Sequence, residues 1–169
     1  MSQLSFSSFE SLLHVRDSKG HYLLASPEQI LEAARDAIDQ KMQRGIKFDS
    51  PATVRSCLQV KLGGFEHEVF AVLFLDTQHR LIAYQEMFRG TIDSASVHPR
   101  EVVKEALRVN AAAVILAHNH PSGDPEPSSA DRVLTLQLKT ALMLMDVRTL
   151  DHIVVAGQRT TSFAERGLM

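Results

Sequence analysis

Hydrophobic and polar positions fall into different spacings along the N-terminal part of this chain, and each spacing predicts an element. Residues 10 to 25 carry two apolar-rich runs separated by the turn residues Asp17-Ser18-Lys19-Gly20, which predict a small β-hairpin. From about residue 27 to 44, apolar residues recur at helical spacing before Gly45, and they predict an amphipathic helix. The positions expected to face inward are Ile30, Leu31, Ala34, Ile38 and Met42.

Further along the chain, helical patterns alternate with short apolar runs rich in β-forming residues. The predicted elements are a helix from Ser50-Pro51 to Gly63-Gly64, a strand at 69–75 with a hairpin partner at 80–88, a helix from His98-Pro99 to about Val109, a strand at 113–117, a helix from about Ser128 to Leu144 and a strand at 147–155. Helices interleaved with buried strands predict an α/β or mixed α+β fold, in which helices cover the sheet.

Composition limits the kind of protein that this pattern can describe. The 169 residues are 44% hydrophobic and 22% charged, which is typical of a globular domain with a short extension. No stretch is long and apolar enough to cross a membrane, and the N-terminus lacks the pattern of a secretory signal, so we expect a cytoplasmic protein. The net charge is -2, and Lys and Arg are scattered among Asp and Glu rather than gathered on one segment, which argues weakly against DNA as the main partner.

The candidate chemistry lies directly after the strand predicted at 113–117. His118-Asn119-His120 is followed by seven residues, then Ser128, two residues and Asp131. Histidines at i and i+2 on an extended chain can point to the same side, with Asn119 turned away. Asp131 would lie on the first turn of the next helix, and the loop PSGDPEP would fold it back toward the imidazoles. Three such ligands leave one tetrahedral position open, as in a catalytic zinc site.

Simpler readings exist for each part of this motif. Ser128 and Asp131 also fit a helix capping box, and a bare HxH is a weak signal. The single cysteine, Cys57, excludes a thiolate-rich metal site and is expected in the core. Three other classes of metal-dependent enzyme do not fit the sequence. An HNH nuclease disperses its residues over a ββα unit, and the run beginning at His67-Glu68 lacks the second histidine of the HExxH motif. The HxE and PCxxC motifs of zinc deaminases are also missing. The joint spacing favours a metal site.

The spacing is that of the JAMM motif, and the sequence from about Ser50 to Gly157 resembles the RadC-like family of bacterial MPN-domain proteins. The resemblance rests on EVFAVLFLD, FRGTIDSASVHPREVVKEAL, AHNHPSGDPEPSSAD and LDHIVV. It implies an MPN-type sheet flanked by helices with cytidine-deaminase-like layering. It also implies that His118, His120 and Asp131 bind one Zn²⁺, and that Ser128 supports a tetrahedral intermediate. The expected domains are a hairpin-and-helix extension at 1–49 and the metal-dependent hydrolase domain at 50–169.

The family also uses a glutamate upstream of the motif as general acid/base. Of Glu66, Glu68, Glu86 and Glu101, the family pattern of Glu, one residue, Phe and a buried strand selects Glu68, while Glu66 would share its face. Zinc lowers the pKa of bound water to about 7, and a nearby carboxylate can move its proton to a leaving amine. The expected activity is that of a metallopeptidase or isopeptidase, and the sequence leaves the protein or peptide substrate open.

Two alternatives differ in class from an enzyme. One is a zinc-containing MPN scaffold without catalysis. The other is a DNA-repair or DNA-associated role, suggested by the family's history, but the helix-hairpin-helix-like module of longer relatives does not resemble residues 1–49. The best basic cluster, Lys41, Arg44 and Lys47, is more typical of a solvated helix end. His152, within LDHIVV, could support a metal ligand, although a core position is the favoured reading.

Overall fold

A computed structural model describes residues 13–48, 50–90 and 97–169 of the chain. The chain divides into two compact units, Met1–Ala37 and Ile38–Met169. The division falls within a helix, and the expected domain boundary between residues 49 and 50 stays a prediction. Within the described residues, no helix is both long and apolar enough to cross a bilayer.

The first unit contains the predicted hairpin. Strand β1 (His14–Arg16) pairs antiparallel with β2 (Tyr22–Leu24), and residues 10–12 of the predicted hairpin lie outside the described part. The Asp17 carboxylate accepts hydrogen bonds from the backbone N–H groups of Lys19 and His21, each at 2.8 Å. A side chain that bonds the backbone a few residues ahead stabilises the turn that its sequence predicts.

Helix α1 (Pro27–Lys41) begins where the sequence predicts and ends three residues earlier than predicted. Its predicted inward face is not buried: the helix contains no buried residue, and Leu31 is 56% exposed. Only the C-terminal end of the apolar row packs inward, where Ile38 and Met42 contact the core of the second unit. Helical periodicity identifies an apolar stripe but carries no information about whether another element covers it.

The second unit is a mixed α+β fold. Its elements are α2 (Pro51–Leu62), β3 (Val69–Leu75), β4 (Leu81–Arg89), α3 (Pro99–Arg108), β5 (Ala113–Asn119), α4 (Ser129–Met143), β6 (Arg148–Ala156) and β7 (Arg159–Ser162). The five strands form one sheet in the order β4-β3-β5-β6-β7. The β5–β6 pair is parallel and the other pairs are antiparallel. The predicted fold class is confirmed, and β7 was not predicted because its four residues, RTTS, carry no apolar pattern.

Hydrophobic clusters cover both faces of this sheet. One contains Val54, Leu58 and Leu62 of α2, and the other contains residues of α3 and α4, including Val102 and Leu138. Strand β3 is buried at every position, as expected for a continuous apolar run between two helical layers. Cys57 belongs to the first cluster, and burial raises the pKa of its thiol, in agreement with a packing role.

Strand β5 is two residues longer than predicted, which corrects the position of the candidate site. His118 pairs with Phe70 of β3, and both His118 and Asn119 pair with β6. The first histidine therefore lies on the sheet itself, and the loop begins at His120. Polar residues at the end of an apolar run look like the start of a loop in the sequence, although backbone pairing continues through them.

Candidate metal centre

Three side chains converge at the end of β5 and the start of α4. The candidate ligand atoms of His118, His120 and Asp131 all lie within 4.8 Å of one another. His118 and His120 are two residues apart on an extended chain and therefore face the same side of the sheet, which is the side covered by α4. Helix α4 brings Asp131 to them from its first turn. The predicted set of ligand residues is thus brought together, and it could hold a metal ion.

The short distances within the cluster join the three groups pairwise. Nε2 of His118 is 2.9 Å from Nε2 of His120 and 3.3 Å from Oδ1 of Asp131. Nε2 of His120 is 3.5 Å from Oδ2 of Asp131. His118 is almost fully buried and the side chains of the other two are 13% and 16% exposed, so water competes little with these contacts.

The loop between the histidines and α4 fixes the orientation of His120. Nδ1 of His120 lies 2.7 Å from the carbonyl oxygen of Asp124. Because a carbonyl only accepts, Nδ1 carries the hydrogen, and in the neutral ring Nε2 keeps its lone pair. Gly123, whose φ of 79° suits glycine, presents its carbonyl to Arg159 of β7 at 2.6 Å. The loop is therefore held both to the ligand and to the edge of the sheet.

Ser128 serves the start of α4 and the carboxylate together. Its Oγ accepts a hydrogen bond from the backbone N–H of Asp131 at 3.1 Å and donates to Oδ2 of Asp131 at 2.7 Å. Its backbone N–H donates to the same Oδ2 at 2.7 Å. This is a capping box. The capping interpretation and the ligand interpretation are therefore compatible, and the cap holds the carboxylate of Asp131, the candidate ligand, in place.

The charges at this cluster indicate which kind of ion it could bind. The Asp131 carboxylate raises the pKa of His120, although burial opposes this. Burial would raise the pKa of Asp131, but hydrogen bonds from His118 and His120 outweigh it, so the pKa of Asp131 lies well below its usual range. Two imidazole nitrogens and a carboxylate at these distances require positive charge between them. A bound proton or a metal cation provides it, and this donor set fits Zn²⁺.

His152 contacts the ligand set, although a core position was the favoured prediction. Its Nε2 lies 2.8 Å from Nδ1 of His118, and its Nδ1 lies 2.6 Å from Oγ1 of Thr135. Thr135 in turn donates to the backbone carbonyl of Asp131 at 2.6 Å. The ring also stacks on Phe163, so the core reading is correct as far as burial goes. Thr135 was missed altogether; its only sequence signal is its place one helical turn after Asp131.

Glu68 directly precedes β3 at the same end of the sheet. Phe70 pairs with His118, and Glu68 lies two residues before Phe70, so the alternation of an extended chain places both on the side of the imidazoles. The charge of Glu68 is among the causes that raise the pKa of His120. Its side chain is half-buried, whereas Glu66 is exposed. These observations favour Glu68 over Glu66, and its catalytic role stays a prediction.

The other two candidate glutamates form ion pairs with basic residues of their own elements. Glu86 pairs with Arg89 at 3.1 Å on β4. Glu101 pairs with Lys104 at 3.4 Å on α3 and is 43% exposed. Each carboxylate therefore has a basic partner within three residues.

Asn119 was expected only to turn away from the metal, and it does more. The residue is buried on the opposite side of the sheet from the imidazoles. Its Oδ1 accepts a hydrogen bond from the backbone N–H of Val69 at 2.8 Å, and its Nδ2 donates to the carbonyl oxygen of His67 at 3.0 Å. Both partners flank Glu68. The residue between the two histidines therefore holds the segment that carries the candidate general base.

A strand that carries the first two residues of HxH, a loop and a helix that starts with Ser-x-x-Asp, on a helix-flanked mixed sheet, form a candidate metal site of the JAMM type. Residues 48–168 match the family described as RadC-like JAB domain. The chain belongs to this RadC-like family.

Its relatives include several UPF0758 proteins. The chain is 60% identical over 149 residues to one from Vibrio cholerae, and the match covers 86% of this chain and 94% of that protein. It is 61% identical over 142 residues to one from Leptothrix cholodnii, covering 84% of this chain and 64% of the relative. A third, from Methylibium petroleiphilum, is 61% identical over 140 residues, covering 83% and 63%. The chain thus spans less than two thirds of the latter two relatives.

Proposed function

We propose that this chain is a zinc-dependent hydrolase that cleaves an amide bond in a peptide or protein. The observation that carries the proposal is the convergence of three electron-donating side chains, His118, His120 and Asp131, whose ligand atoms lie within 4.8 Å of one another. Three protein ligands leave a position open for water, which is typical of catalytic rather than structural zinc. The RadC-like JAB family membership supports the same class of chemistry.

Bound Zn²⁺ would lower the pKa of water to about 7 and polarise a carbonyl oxygen. The protein's part is to hold both imidazoles with Nε2 toward the centre and to keep the Asp131 carboxylate ionised. Without metal, hydrogen bonds from His118 and His120 outweigh burial and hold the pKa of Asp131 well below its usual range, so the carboxylate is already ionised when a cation replaces the imidazole hydrogen. The Asp124 carbonyl helps to hold Nε2 of His120 toward the centre, because it takes the hydrogen of Nδ1.

Glu68 is the proposed general acid/base. A half-buried carboxylate beside the imidazoles can take a proton from the attacking water and return it to the leaving amine. Ser128 is the proposed hydrogen-bond donor to the tetrahedral intermediate. Its hydroxyl hydrogen is directed at Oδ2 of Asp131, so the hydroxyl must rotate toward the substrate while its oxygen still caps α4.

Zinc content is the direct test of the ligand assignment. We expect about one zinc per chain, consistent with a three-ligand open site. His118→Ala and Asp131→Ala should each lose it, because removal of one of three ligands leaves too few donors. Metal analysis of dialysed protein measures this, with His79→Ala as a matched control outside the cluster. Wild-type zinc content in both ligand variants would refute the assignment.

The role of Glu68 separates metal binding from hydrolysis. Glu68→Gln removes the proton-accepting oxygen with little change in shape, so we expect full zinc content and loss of at least 100-fold in activity, within the usual range for general acid/base catalysis (about 10²–10⁴-fold). The assay incubates cell extract with each protein and counts newly formed C-termini by mass spectrometry, because hydrolysis of a peptide or an isopeptide bond frees a terminal carboxylate. Glu101→Gln is the control and should match wild type. Full activity of Glu68→Gln would move the role to Glu66.

The same experiment distinguishes the scaffold alternative. Zinc-loaded wild-type protein that creates no more new C-termini than Glu68→Gln would favour a zinc-containing interaction module. The Glu68→Gln variant, which retains zinc in this proposal, also serves as a trap for uncleaved substrates, and covalent crosslinking before affinity purification would identify them. Salt-sensitive retention of DNA instead of protein would favour the nucleic-acid role.

A further inference from the structure

A continuous chain of buried hydrogen bonds connects two of the three candidate ligands behind the cluster. It runs from Nδ1 of His118 to Nε2 of His152 (2.8 Å), from Nδ1 of His152 to Oγ1 of Thr135 (2.6 Å), and from Oγ1 of Thr135 to the backbone carbonyl of Asp131 (2.6 Å). His118, Thr135 and His152 are exposed by 5%, 1% and 0%. Side chains of β5, β6 and α4 thus meet in one network with little access to water.

The direction of every hydrogen bond in this network follows from its last acceptor. A carbonyl only accepts, so the hydroxyl of Thr135 donates its single hydrogen to the backbone carbonyl of Asp131. The oxygen of Thr135 must then accept from His152, which places a hydrogen on Nδ1 of His152. The two ring nitrogens of His152 contact a hydroxyl and another imidazole rather than a carboxylate, and the ring is fully buried, so it is neutral.

The neutral His152 ring has one N–H hydrogen, and that hydrogen is on Nδ1, where it bonds Oγ1 of Thr135. Nε2 of His152 is therefore an acceptor, and Nδ1 of His118 must donate to it. That leaves the lone pair of His118 on Nε2, the nitrogen that faces His120 and Asp131. The tautomer required for metal binding is thus specified by a backbone carbonyl on α4, through two intervening side chains.

We propose that Thr135 and His152 are positioning residues for the metal centre, which fix the tautomer and the ring plane of His118 and tie it to the backbone of Asp131. The inference rests on the metal-binding part of the proposed function. A ligand imidazole is oriented by whatever bonds its second nitrogen, and losing such a partner typically weakens metal binding by about 10–100-fold. Here the partner is a second imidazole whose own tautomer is set by Thr135.

The alternative is that Thr135 and His152 only fill the core. Phe163 stacks on the His152 ring at 4.7 Å and Phe70 meets it edge-on at 5.7 Å, which is ordinary aromatic packing. A packing role requires the volume of each side chain but not the polarity of its atoms. Thr135→Val keeps the branched shape and removes only the hydroxyl, so it separates the two roles.

Helix α4 offers a matched control for this substitution. Thr140 donates its hydroxyl hydrogen to the carbonyl of Leu136 at 2.8 Å, the same bond to the residue four before it that Thr135 makes to Asp131. Thr140 is exposed and its hydroxyl lies outside the network. Thr140→Val therefore removes an equivalent helix bond without touching His152.

The experiment measures Zn²⁺ affinity by competition with a chromophoric chelator, alongside thermal unfolding of the metal-free proteins. We expect Thr135→Val to bind Zn²⁺ about 10–100-fold more weakly, and Thr135→Ser, which keeps a hydroxyl, to bind within about threefold of wild type. Thr140→Val should bind like wild type. Wild-type affinity of Thr135→Val would overturn the inference. Failure of wild-type protein to bind Zn²⁺ would instead refute the proposed function on which it rests.

A second measurement uses the wild-type chain alone, so it does not depend on whether a variant folds. Long-range ¹⁵N–¹H correlation spectra of histidine-labelled protein report which ring nitrogen carries the hydrogen. In Zn²⁺-loaded protein we expect hydrogen on Nδ1 of both His118 and His152, with Nε2 of His152 unprotonated. Hydrogen on Nε2 of His152 would reverse the network and overturn the inference.

Discussion

At the scale of single residues, one side chain in the site can make two contacts with different roles. Ser128 is the simplest example: its oxygen caps α4 through the Asp131 N–H, while its hydrogen bonds the Asp131 carboxylate. A capping serine and a metal-ligating aspartate three residues later satisfy one sequence pattern. The pattern alone therefore could not distinguish a helix cap from a metal site. The nearby imidazoles of His118 and His120 favour the metal site.

Ser128→Ala should reduce both stability and metal affinity. Loss of an N-cap hydroxyl typically costs about 0.5–2 kcal/mol of folding free energy, and the Asp131 carboxylate loses the 2.7 Å bond that helps to orient it. Urea unfolding of the metal-free proteins measures the first effect and chelator competition the second. Ser129→Ala, at the next exposed position, should change the free energy of unfolding by less than about 0.5 kcal/mol. Equal stability of Ser128→Ala and wild type would contradict the capping role.

At the scale of elements, strand β5 organises the site with both of its faces. His118 projects toward α4, and Asn119 projects to the other side, where it bonds the backbone at Val69 and His67. Successive side chains of a strand point to opposite faces of the sheet, so neighbouring residues contact different elements. The ligand side and the glutamate segment are consequently held by adjacent residues of one rigid, fully buried strand.

Asn119→Ala should destabilise the protein without removing a ligand. The buried N–H of Val69 would lose its acceptor and the carbonyl of His67 a donor, and an unsatisfied buried polar group costs about 1–3 kcal/mol. Chemical unfolding of the metal-free proteins measures the change in the free energy of unfolding. Gln59→Ala is a suitable control, because Gln59 makes one amide-to-carbonyl bond, to Gln158, at an exposed location. Equal free energies of unfolding for the two variants would contradict a structural role for the Asn119 clamp.

The elements differ in how far the sequence predicts them. Apolar runs covered on both faces, such as Val69–Leu75, are predictable because burial dictates composition at every position. The C-terminal end of β5 and the whole of β7 are not, because their residues are polar and their backbone pairing leaves no apolar pattern in the sequence. The buried face expected for α1 failed for a related reason: the sequence shows an apolar stripe, while its burial depends on a neighbouring element.

The candidate site shows the same limit. The spacing of His118, His120 and Asp131 predicted that these side chains converge, since all three lie on one local strand-loop-helix segment. The contacts of His152 and Thr135 depend on how β6 and α4 approach β5, so they carry no local spacing. Residues that support a site from distant segments became recognisable only when the parallel pairing of β5 with β6 was known.

At the scale of the whole molecule, the metal centre joins elements that otherwise contact one another through packing. Its candidate ligands come from β5, the following loop and α4, and its network extends to β6. A cation bound there would satisfy three electron-rich groups at once in the folded chain, and the unfolded chain offers no equivalent site. Metal binding should therefore stabilise the fold by a free energy that grows with the logarithm of the ratio of free metal to its dissociation constant.

Removal of metal should lower the melting temperature of the wild-type chain. Free Zn²⁺ at 100 times its dissociation constant adds about 2.7 kcal/mol of stability, which for a domain of this size corresponds to a rise of roughly 5–10 °C. Calorimetry of zinc-loaded protein before and after treatment with EDTA measures the difference. Asp131→Asn keeps an oxygen for the Ser128 bond but loses the negative charge, so its melting temperature should respond to EDTA by less than a third as much. An equal EDTA response in both proteins would show that the stabilising metal binds elsewhere, and an unchanged wild-type melting temperature would show that the cluster binds zinc too weakly to couple to folding.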